Sequence, residues 1–166
     1  MHHSIHRKRM PLHDALHAPN GRWHLHASTF PMWLKGDRQQ PCFNYRVITD
    51  GEGWALDDRV TWQKNGHERS INGISRPLDE DASHFKWRGR GWLAIASSRW
   101  EIFHPDPRDY DTAVVVFSRT LLTPAGADVI ARGPELSEQN LHAIADAMRA
   151  HPSARSHVDA LLRLPG

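Results

Sequence analysis

The chain of 166 residues contains a single cysteine, Cys42. One cysteine cannot form an intramolecular disulfide, and it excludes a zinc site built from several cysteines. The sequence also has no apolar run of 18 residues, so no membrane-spanning helix is predicted. Basic residues near the N-terminus are not followed by an apolar segment, and neither a signal peptide nor a lipid-attachment signal is visible. We therefore expect a cytoplasmic protein.

Strong charge of one sign is lacking as well. Lysine and arginine number 21 against 19 acidic residues, which gives a net charge of +2. Nucleic-acid binding is not expected, because no basic stripe runs along the chain. The short basic run at Arg7-Lys8-Arg9 lies in residues 1–11, which we expect to be a flexible leader. Residues 12–166 are long enough for one domain with a substantial core.

Short segments of strand character, separated by turn residues, dominate the chain from Arg22 onward. The clearest is residues 54–64, where apolar side chains alternate with polar ones as in a half-buried strand. Asp58 interrupts the apolar face of this segment. Asn65-Gly66 follows directly and predicts a hairpin.

Eight strands are predicted at a spacing of roughly ten residues, without helices between them. They are residues 22–30, 42–48, 54–64, 67–76, 84–88, 92–96, 100–104 and 113–117. This regularity favours an up-and-down antiparallel barrel or a sandwich. Apolar residues then recur at helical spacing from Leu136 to Met148, which predicts one helix packed on the outside of the β body.

Three motifs in a fixed order carry a family resemblance. Gly21-Arg22-Trp23 opens the first strand, the turn at residues 106–110 reads DPRDY, and the strand after it ends in the residues FSRT at 117–120. As a set these motifs resemble those of the lipocalins, most closely of the bacterial and apolipoprotein D-like branch. The resemblance spans about residues 12–164. It implies an all-β fold: an eight-stranded antiparallel up-and-down β-barrel with a C-terminal α-helix packed outside.

The resemblance also implies how the closed end of the barrel is built. In lipocalins the tryptophan of the first motif lies across that end, and an arginine of the last strand packs over it. Carried across, Gly21, Trp23 and Arg119 would form this floor, with an indole face against a guanidinium. Residues 121–135 depart from the family pattern, because they separate the FSRT motif from the helix.

A barrel of eight strands has room for one small ligand. The resemblance implies a small hydrophobic ligand such as a fatty acid or lysophospholipid, no cofactor or metal, and no covalent chemistry, in a monomer or homodimer. Alternation predicts the cavity-lining side chains to be Phe43, Tyr45, Val47, Trp54, Leu56, Trp62, Phe85 and Trp87. Met32, Trp33 and Leu34 follow the first strand and are predicted to form a loop at the open end. Asp58, and with it Asn44 or Arg46, would provide polar contacts to the ligand.

Two alternatives on the same barrel stay open at this point. Cys42 could serve as the thiol of an isomerase, as in a few lipocalins, although it faces outward if Phe43 faces inward. Among the 13 histidines, His24 and His26 are two residues apart and would share a strand face, which suits a metal or haem site. No Ser-His-Asp order and no pair of carboxylates stands out in the sequence.

Overall fold

A computed structural model describes residues 11–91, 97–121 and 123–166. Most of the expected leader, residues 1–10, and the predicted strand at residues 92–96 lie outside the described residues. No helix in the described part of the chain is long and apolar enough to cross a membrane.

The described residues form nine strands, three α-helices and one 3-10 helix. The strands are β1 (Gly21–Ser28), β2 (Gln39–Asp50), β3 (Gly53–Lys64), β4 (His67–Pro77), β5 (His84–Gly89), β6 (Ser97–Phe103), β7 (Thr112–Phe117), β8 (Gly126–Ala131) and β9 (Leu162–Arg163). The helices are α1 (Leu12–Leu16), α2 (Pro31–Leu34) and α3 (Glu138–Arg149), and the 3-10 helix is Arg155–Ala160.

Strands β1 to β8 form a closed antiparallel barrel in the order of the sequence. The barrel closes where β1 pairs with β8 on one side and with β2 on the other. The ninth strand is an addition: Leu162 and Arg163 pair with the end of β1 beyond its contact with β2. This architecture, with α3 following the barrel, confirms the predicted fold class.

Local sequence explains the hairpins. Asn65 and Gly66 both have positive φ values, 51° and 75°, as a tight two-residue turn between β3 and β4 requires. The predicted hairpin at this position is therefore confirmed. The predicted loop at residues 31–41 contains the short helix α2, whose first residue is Pro31; proline is favoured there because the first helical N–H needs no partner.

Apolar side chains form two cores, one inside the barrel and one outside it. Inside, the closed half is filled by large buried residues that include Leu16, Trp23, Leu56 and Phe85. Outside, Ile144 and Met148 of α3 pack with the outward-facing side chains of β7 and β8, namely Val114, Val116, Ala127 and Val129. The predicted position of the helix is thus confirmed, and its contact is with the last two strands of the barrel.

The floor of the barrel differs from the prediction in one residue. The guanidinium carbon of Arg132 lies 3.6 Å from the ring centroid of Trp23, which is fully buried. Arg132 also donates to the Ala18 carbonyl at 2.8 Å, and Trp23 Nε1 donates to the Pro19 carbonyl at 2.8 Å. Gly21 has a φ of 108°, and a Cβ there would lie 2.8 Å from Arg132 Nη1, so glycine leaves the space that the arginine occupies.

Arg119 was therefore the wrong partner for Trp23. It lies just beyond β7, which begins at the closed end and finishes at the open end, and its side chain is exposed. The prediction took β7 for the last strand because residues 121–135 were expected to be a connection to the helix. That segment contains β8, and the arginine at the end of the true last strand is Arg132.

Candidate functional site

A cavity of about 240 Å³ occupies the open half of the barrel, at the end where β1 leads into α2. It lies above the packed residues of the closed half. Its described lining is mostly aromatic or aliphatic and comprises Phe30, Met32, Trp33, Phe43, Tyr45, Asp58, Val60, Ile71, Trp87, Ser98, Trp100, Phe117, Ser118, Thr123 and Asp128. The strands contribute alternate residues, as expected for the inner face of a barrel.

Three stacked rings border the cavity on its inner side. Trp100 of β6 stacks on Phe85 at 4.3 Å between ring centroids, and on Tyr45 at 5.3 Å. Phe85 is fully buried, whereas Tyr45 and Trp100 reach the cavity. The stack positions the ring of Tyr45 and separates the cavity from the core beneath it.

Helix α2 brings apolar side chains to the other side of the cavity. Trp33 is buried and meets Trp62 edge to face at 5.8 Å, while Arg38 lies over the Trp62 ring at 5.0 Å. Phe30, just before α2, contacts Phe117 edge to face at 5.6 Å. The connection between β1 and β2 is thus folded against the barrel entrance.

Trp87 reaches the cavity because glycine faces it on the neighbouring strand. A Cβ added to Gly73 of β4 would collide with the indole nitrogen of Trp87. Glycine at this position allows the ring to lie directly on the backbone of β4. Gly73 therefore determines where the indole of Trp87 lies in the cavity wall, because it leaves the space that a side chain would fill.

Asp58 is a buried acid on the inner face of β3. It is 6% exposed, and its Oδ2 accepts a hydrogen bond of 2.8 Å from Ser75 Oγ, which in turn accepts one of 2.9 Å from Trp100 Nε1. Burial raises the pKa of Asp58 to about 7, against the opposing effect of the Ser75 hydrogen bond; the Asp57 charge raises it further. The interruption that Asp58 makes in the apolar face of β3 is thus a cavity-lining carboxyl group.

Asp128 is a second buried acid, on β8. It is 1% exposed, and its Oδ1 accepts a hydrogen bond of 2.5 Å from Ser28 Oγ. Ser28 Oγ also accepts from the Phe30 backbone N–H at 2.9 Å, which links the acid to the segment before α2. Burial raises the pKa of Asp128 to about 7, with the Ser28 hydrogen bond opposing it.

Tyr45 is the third polar group in the cavity whose pKa is shifted. Burial, followed by the charges of Asp58 and Asp128, raises the pKa of its hydroxyl well above the ordinary value. Tyr45 is 4% exposed and has no hydrogen bond from its hydroxyl to any residue that the structure describes. The cavity therefore contains two carboxyl groups and one phenol, on three different strands.

The structure distributes the residues predicted to line the cavity over three places. Phe43, Tyr45 and Trp87 line it, and so do Met32 and Trp33 of the predicted open-end loop. Val47, Leu56, Trp62 and Phe85 belong to the inner core but not to the lining, and Leu34 is partly buried beside Trp33.

Trp54 is a correction. It was predicted to point into the cavity, but it is 40% exposed, and its ring lies 4.5 Å from that of His13 in α1. The reason is that Trp54 is the second residue of β3, at the closed end of the barrel. Its side chain there lies beside α1 and not in the barrel interior. Of the other suggested polar contacts, Asn44 bonds to the Arg59 carbonyl and Arg46 pairs with Asp57, so neither lines the cavity.

Cys42 and the two histidines of β1 lie away from the cavity. Cys42 is buried, and its sulfur is 3.6 Å from His24 Nδ1. His26 sits at a bulge in β1, where its Nε2 is 2.9 Å from the Gly133 carbonyl. Burial lowers the pKa of both histidines. Among the described residues no group of three or more histidine, cysteine or acidic side chains is arranged to hold a metal ion.

Sequence reasoning missed Asp128 and Trp100 as cavity residues. Asp128 interrupts the inner face of β8 in the same way that Asp58 interrupts β3: its neighbours at 127 and 129 face outward, whereas Ile130 faces inward. The signal that identified Asp58, an acid on the apolar face of a short strand, could also have identified Asp128. To use this signal for Asp128, residues 126–131 must first be recognised as a strand.

The geometry is that of a closed β-barrel with an internal cavity, and solved structures with the same fold were found. Insecticyanin from the tobacco hornworm Manduca sexta matches with a TM-score of 0.66 at 12% identity, over 91% of this chain and 80% of that one. Lobster apocrustacyanin A1 matches with a TM-score of 0.63 at 14% identity, over 89% and 77%. The siderocalin Ex-FABP matches with a TM-score of 0.61 at 16% identity, over 90% and 95%.

These three proteins are lipocalins, and the fold of this chain is that of the lipocalins. At such low identity the likeness concerns the fold alone. No protein-family model matches the sequence. No curated protein matches it either.

Proposed function

We propose that this protein binds one small, largely apolar ligand in the cavity of its barrel and carries it without covalent chemistry. The observation that carries the proposal is the cavity of about 240 Å³, with aromatic walls and a few polar groups, inside an otherwise packed barrel. Lipocalins in general bind small hydrophobic ligands in this part of the barrel, and the shared fold supports the same use here.

The dimensions of the cavity support a compact ligand. Ligand pockets commonly measure about 300–1,000 Å³, so this one is at the small end. A ligand of one or two rings suits it better than the fatty acid or lysophospholipid expected from sequence. None of the described lining residues is lysine, arginine or histidine, so an anionic head group would have no counter-charge inside.

The isomerase alternative has less support than the carrier. Cys42 is buried on the outer side of β2 and does not line the cavity, so its thiol has no access to a ligand there. A closer relation to the bacterial and apolipoprotein D-like branch stays a prediction that rests on the sequence motifs. Location in the cytoplasm and a monomeric or dimeric state are likewise proposals.

The proposal is tested by filling the cavity. Ser98 of β6 faces the cavity and Ser97 is exposed beside it, so Ser98→Leu and Ser97→Leu form a matched pair. Binding of 2-phenylethanol, 2-phenylethylamine, palmitate and lysophosphatidylcholine is measured by titration calorimetry. We expect at least one of the two ring compounds to bind the wild type and Ser97→Leu equally, and Ser98→Leu at least tenfold more weakly. If no probe binds, or if Ser98→Leu binds like the wild type, the proposal is wrong.

A further inference from the structure

The charges inside the cavity are of one sign. Two acids, Asp58 and Asp128, line it from β3 and β8, and no described lining residue carries a positive charge. Neither aspartate forms an ion pair with any described residue, whereas the acids on the outer surface, such as Asp57, pair with arginines. The cavity therefore has negative groups for which the protein supplies no counter-charge.

Each carboxyl group has one oxygen satisfied by a serine. Ser75 donates to Oδ2 of Asp58 and Ser28 donates to Oδ1 of Asp128, which orients both groups on the cavity wall. No hydrogen bond from a described residue reaches the other oxygen of either group. Because both acids line the cavity, these second oxygens are available to a bound molecule.

Tyr45 is an independent observation that points in the same direction. The residue is 4% exposed and lines the cavity, and none of the hydrogen bonds among the described residues involves its hydroxyl. The residue is within electrostatic reach of both Asp58 and Asp128. A phenol hydroxyl both donates and accepts hydrogen bonds, so it can bond to a polar group of a molecule in the cavity.

A carrier of a purely apolar molecule would gain nothing from these groups. Buried acids without a counter-charge destabilise a fold, and apolar side chains of similar size are usually at least as stable. The cost is recovered when a ligand brings the missing positive charge. An ammonium group also suits the remaining walls, because aromatic rings attract cations and Trp33 and Trp87 line the cavity.

We propose that the ligand is a compact amine, with its ammonium group held by Asp58 and Asp128 and its apolar part among the aromatic side chains. This inference deepens the proposed function and rests on it. It excludes anionic ligands, since a carboxylate would meet two acids and no base.

The pH dependence of amine binding follows from the charge state of the two acids that line the cavity. Burial raises the pKa of both acids to about 7, so they carry little charge in acid and become charged as the pH rises. Tyr45 faces both acids and is the remaining titratable group in the described lining, and Asp57 adds its charge to the surroundings of Asp58. An amine is protonated throughout this range, so its affinity should fall as the pH is lowered from 8 to 5.

The test compares three probes of nearly equal size by titration calorimetry at pH 8 and pH 5: 2-phenylethylamine, 2-phenylethanol and phenylacetate. At pH 8 we expect the amine to bind the wild type at least tenfold more tightly than the alcohol, with phenylacetate weakest. At pH 5 the amine should lose at least tenfold in affinity, while the affinity of the alcohol changes by less than twofold.

The decisive variant is the double change Asp58→Asn and Asp128→Asn. Asparagine keeps the shape of each side chain and an oxygen that accepts from serine, and a melting curve at pH 8 verifies that the variant is folded. We expect the double variant to lose the preference for the amine and to retain binding of the alcohol. Asp146→Asn, an exposed change on α3 that alters net charge in the same sense, should behave like the wild type.

The outcomes separate the inference from the proposed function. If the alcohol binds as tightly as the amine, or if the double variant keeps the preference for the amine, the inference is overturned and the carrier proposal stands. If phenylacetate binds most tightly, the inference is likewise overturned. If none of the three probes binds, both are overturned.

Discussion

At the closed end of the barrel, one arginine is in contact with three parts of the chain. Arg132 lies over the Trp23 ring, bonds to the Ala18 carbonyl and approaches Gly21. Burial lowers the pKa of its guanidinium, and the Asp111 charge opposes this shift. The contact of a partly desolvated guanidinium with an indole and a carbonyl is the kind of interaction whose loss is measurable in a single variant.

We expect Arg132→Ala to lower the free energy of unfolding by about 3 kcal/mol, since it removes a cation–π contact and a charged hydrogen bond. Chemical denaturation measures the loss, and a red shift of tryptophan fluorescence would report exposure of Trp23. Arg119→Ala is the control: its side chain is exposed at the other end of β7, and we expect a change below about 0.5 kcal/mol. Equal effects of the two changes would show that the floor is built differently.

The two buried acids make stability depend on pH in an unusual direction. Burial raises the pKa of Asp58 from 3.8 to about 7, so the folded state binds its proton more tightly than the unfolded state. The contribution to stability is fully present below pH 3.8 and is lost as the pH rises through about 7. Asparagine does not titrate, so Asp58→Asn removes this dependence.

We therefore expect Asp58→Asn to gain stability relative to the wild type as the pH rises from about 4 to 8, by on the order of 4 kcal/mol at most. Urea denaturation of both proteins at several pH values measures the difference. The exposed change Asp146→Asn serves as the control and should show a much flatter difference. A difference between Asp58→Asn and the wild type that is constant with pH would contradict a buried, titrating Asp58.

Among the strands, the contact of β4 with Trp87 depends on the absence of a side chain. We expect Gly73→Ala to displace the indole from the cavity wall, because the new Cβ would collide with it and with the Arg88 carbonyl. Overpacking of this kind costs about 1–3 kcal/mol. Thermal unfolding measures the loss, and calorimetry with 2-phenylethylamine measures the effect on binding. Gly51→Ala is the matched control, since nothing lies within 4 Å of a Cβ at that position.

Helix α3 packs on the barrel through its apolar side, on which Ile144 and Met148 are buried. Met148 is fully buried against β7 and β8, and Ser137 caps the start of the helix by accepting a hydrogen bond of 3.1 Å from the Asn140 N–H. We expect Met148→Ala to lower the free energy of unfolding by about 2–5 kcal/mol, through the cavity that it leaves. Arg149→Ala, on the exposed face of the same helix, should change it by less than about 0.5 kcal/mol. Denaturation followed by circular dichroism compares the two.

Elements with strong local signals were predictable from sequence. The period of two in residues 54–64 and the pair Asn65-Gly66 correspond to β3 and its hairpin with β4. Strand β8 was not predicted, because it is short, begins with glycine and has a buried acid at its centre. Asp128 is stabilised by Ser28, which is 100 residues away, and no local pattern shows such a partner.

The cavity lining was predictable only in part, because it too depends on contacts between distant parts of the chain. Strand alternation correctly put Phe43, Tyr45 and Trp87 on the inner face, but the inner face includes both filled and empty space. Which residues border the empty part depends on how far the closed half is filled by Phe85, Trp23 and their neighbours. That is a property of packing in three dimensions, and periodicity along the chain does not contain it.

On the scale of the whole molecule, the barrel divides into a closed half and an open half. Leu16, Trp23 and Leu56 fill the closed half, where Arg132 seals the floor. The open half contains the cavity and the two acids. Changes at the floor are therefore expected to act on stability, and changes at Asp58 or Asp128 on both stability and ligand selection.

The pairing of β1 with strands from the end of the chain has a consequence for biosynthesis. Strand β1 is made before its partners β8 and β9, which lie about 100 and 135 residues further along the chain. Until residue 126 has left the ribosome, one side of β1 exposes unpaired backbone N–H and C=O groups, and nascent edges of this kind associate with other chains. We therefore expect the edge of β1 to need protection from other chains until β8 is available to pair with it.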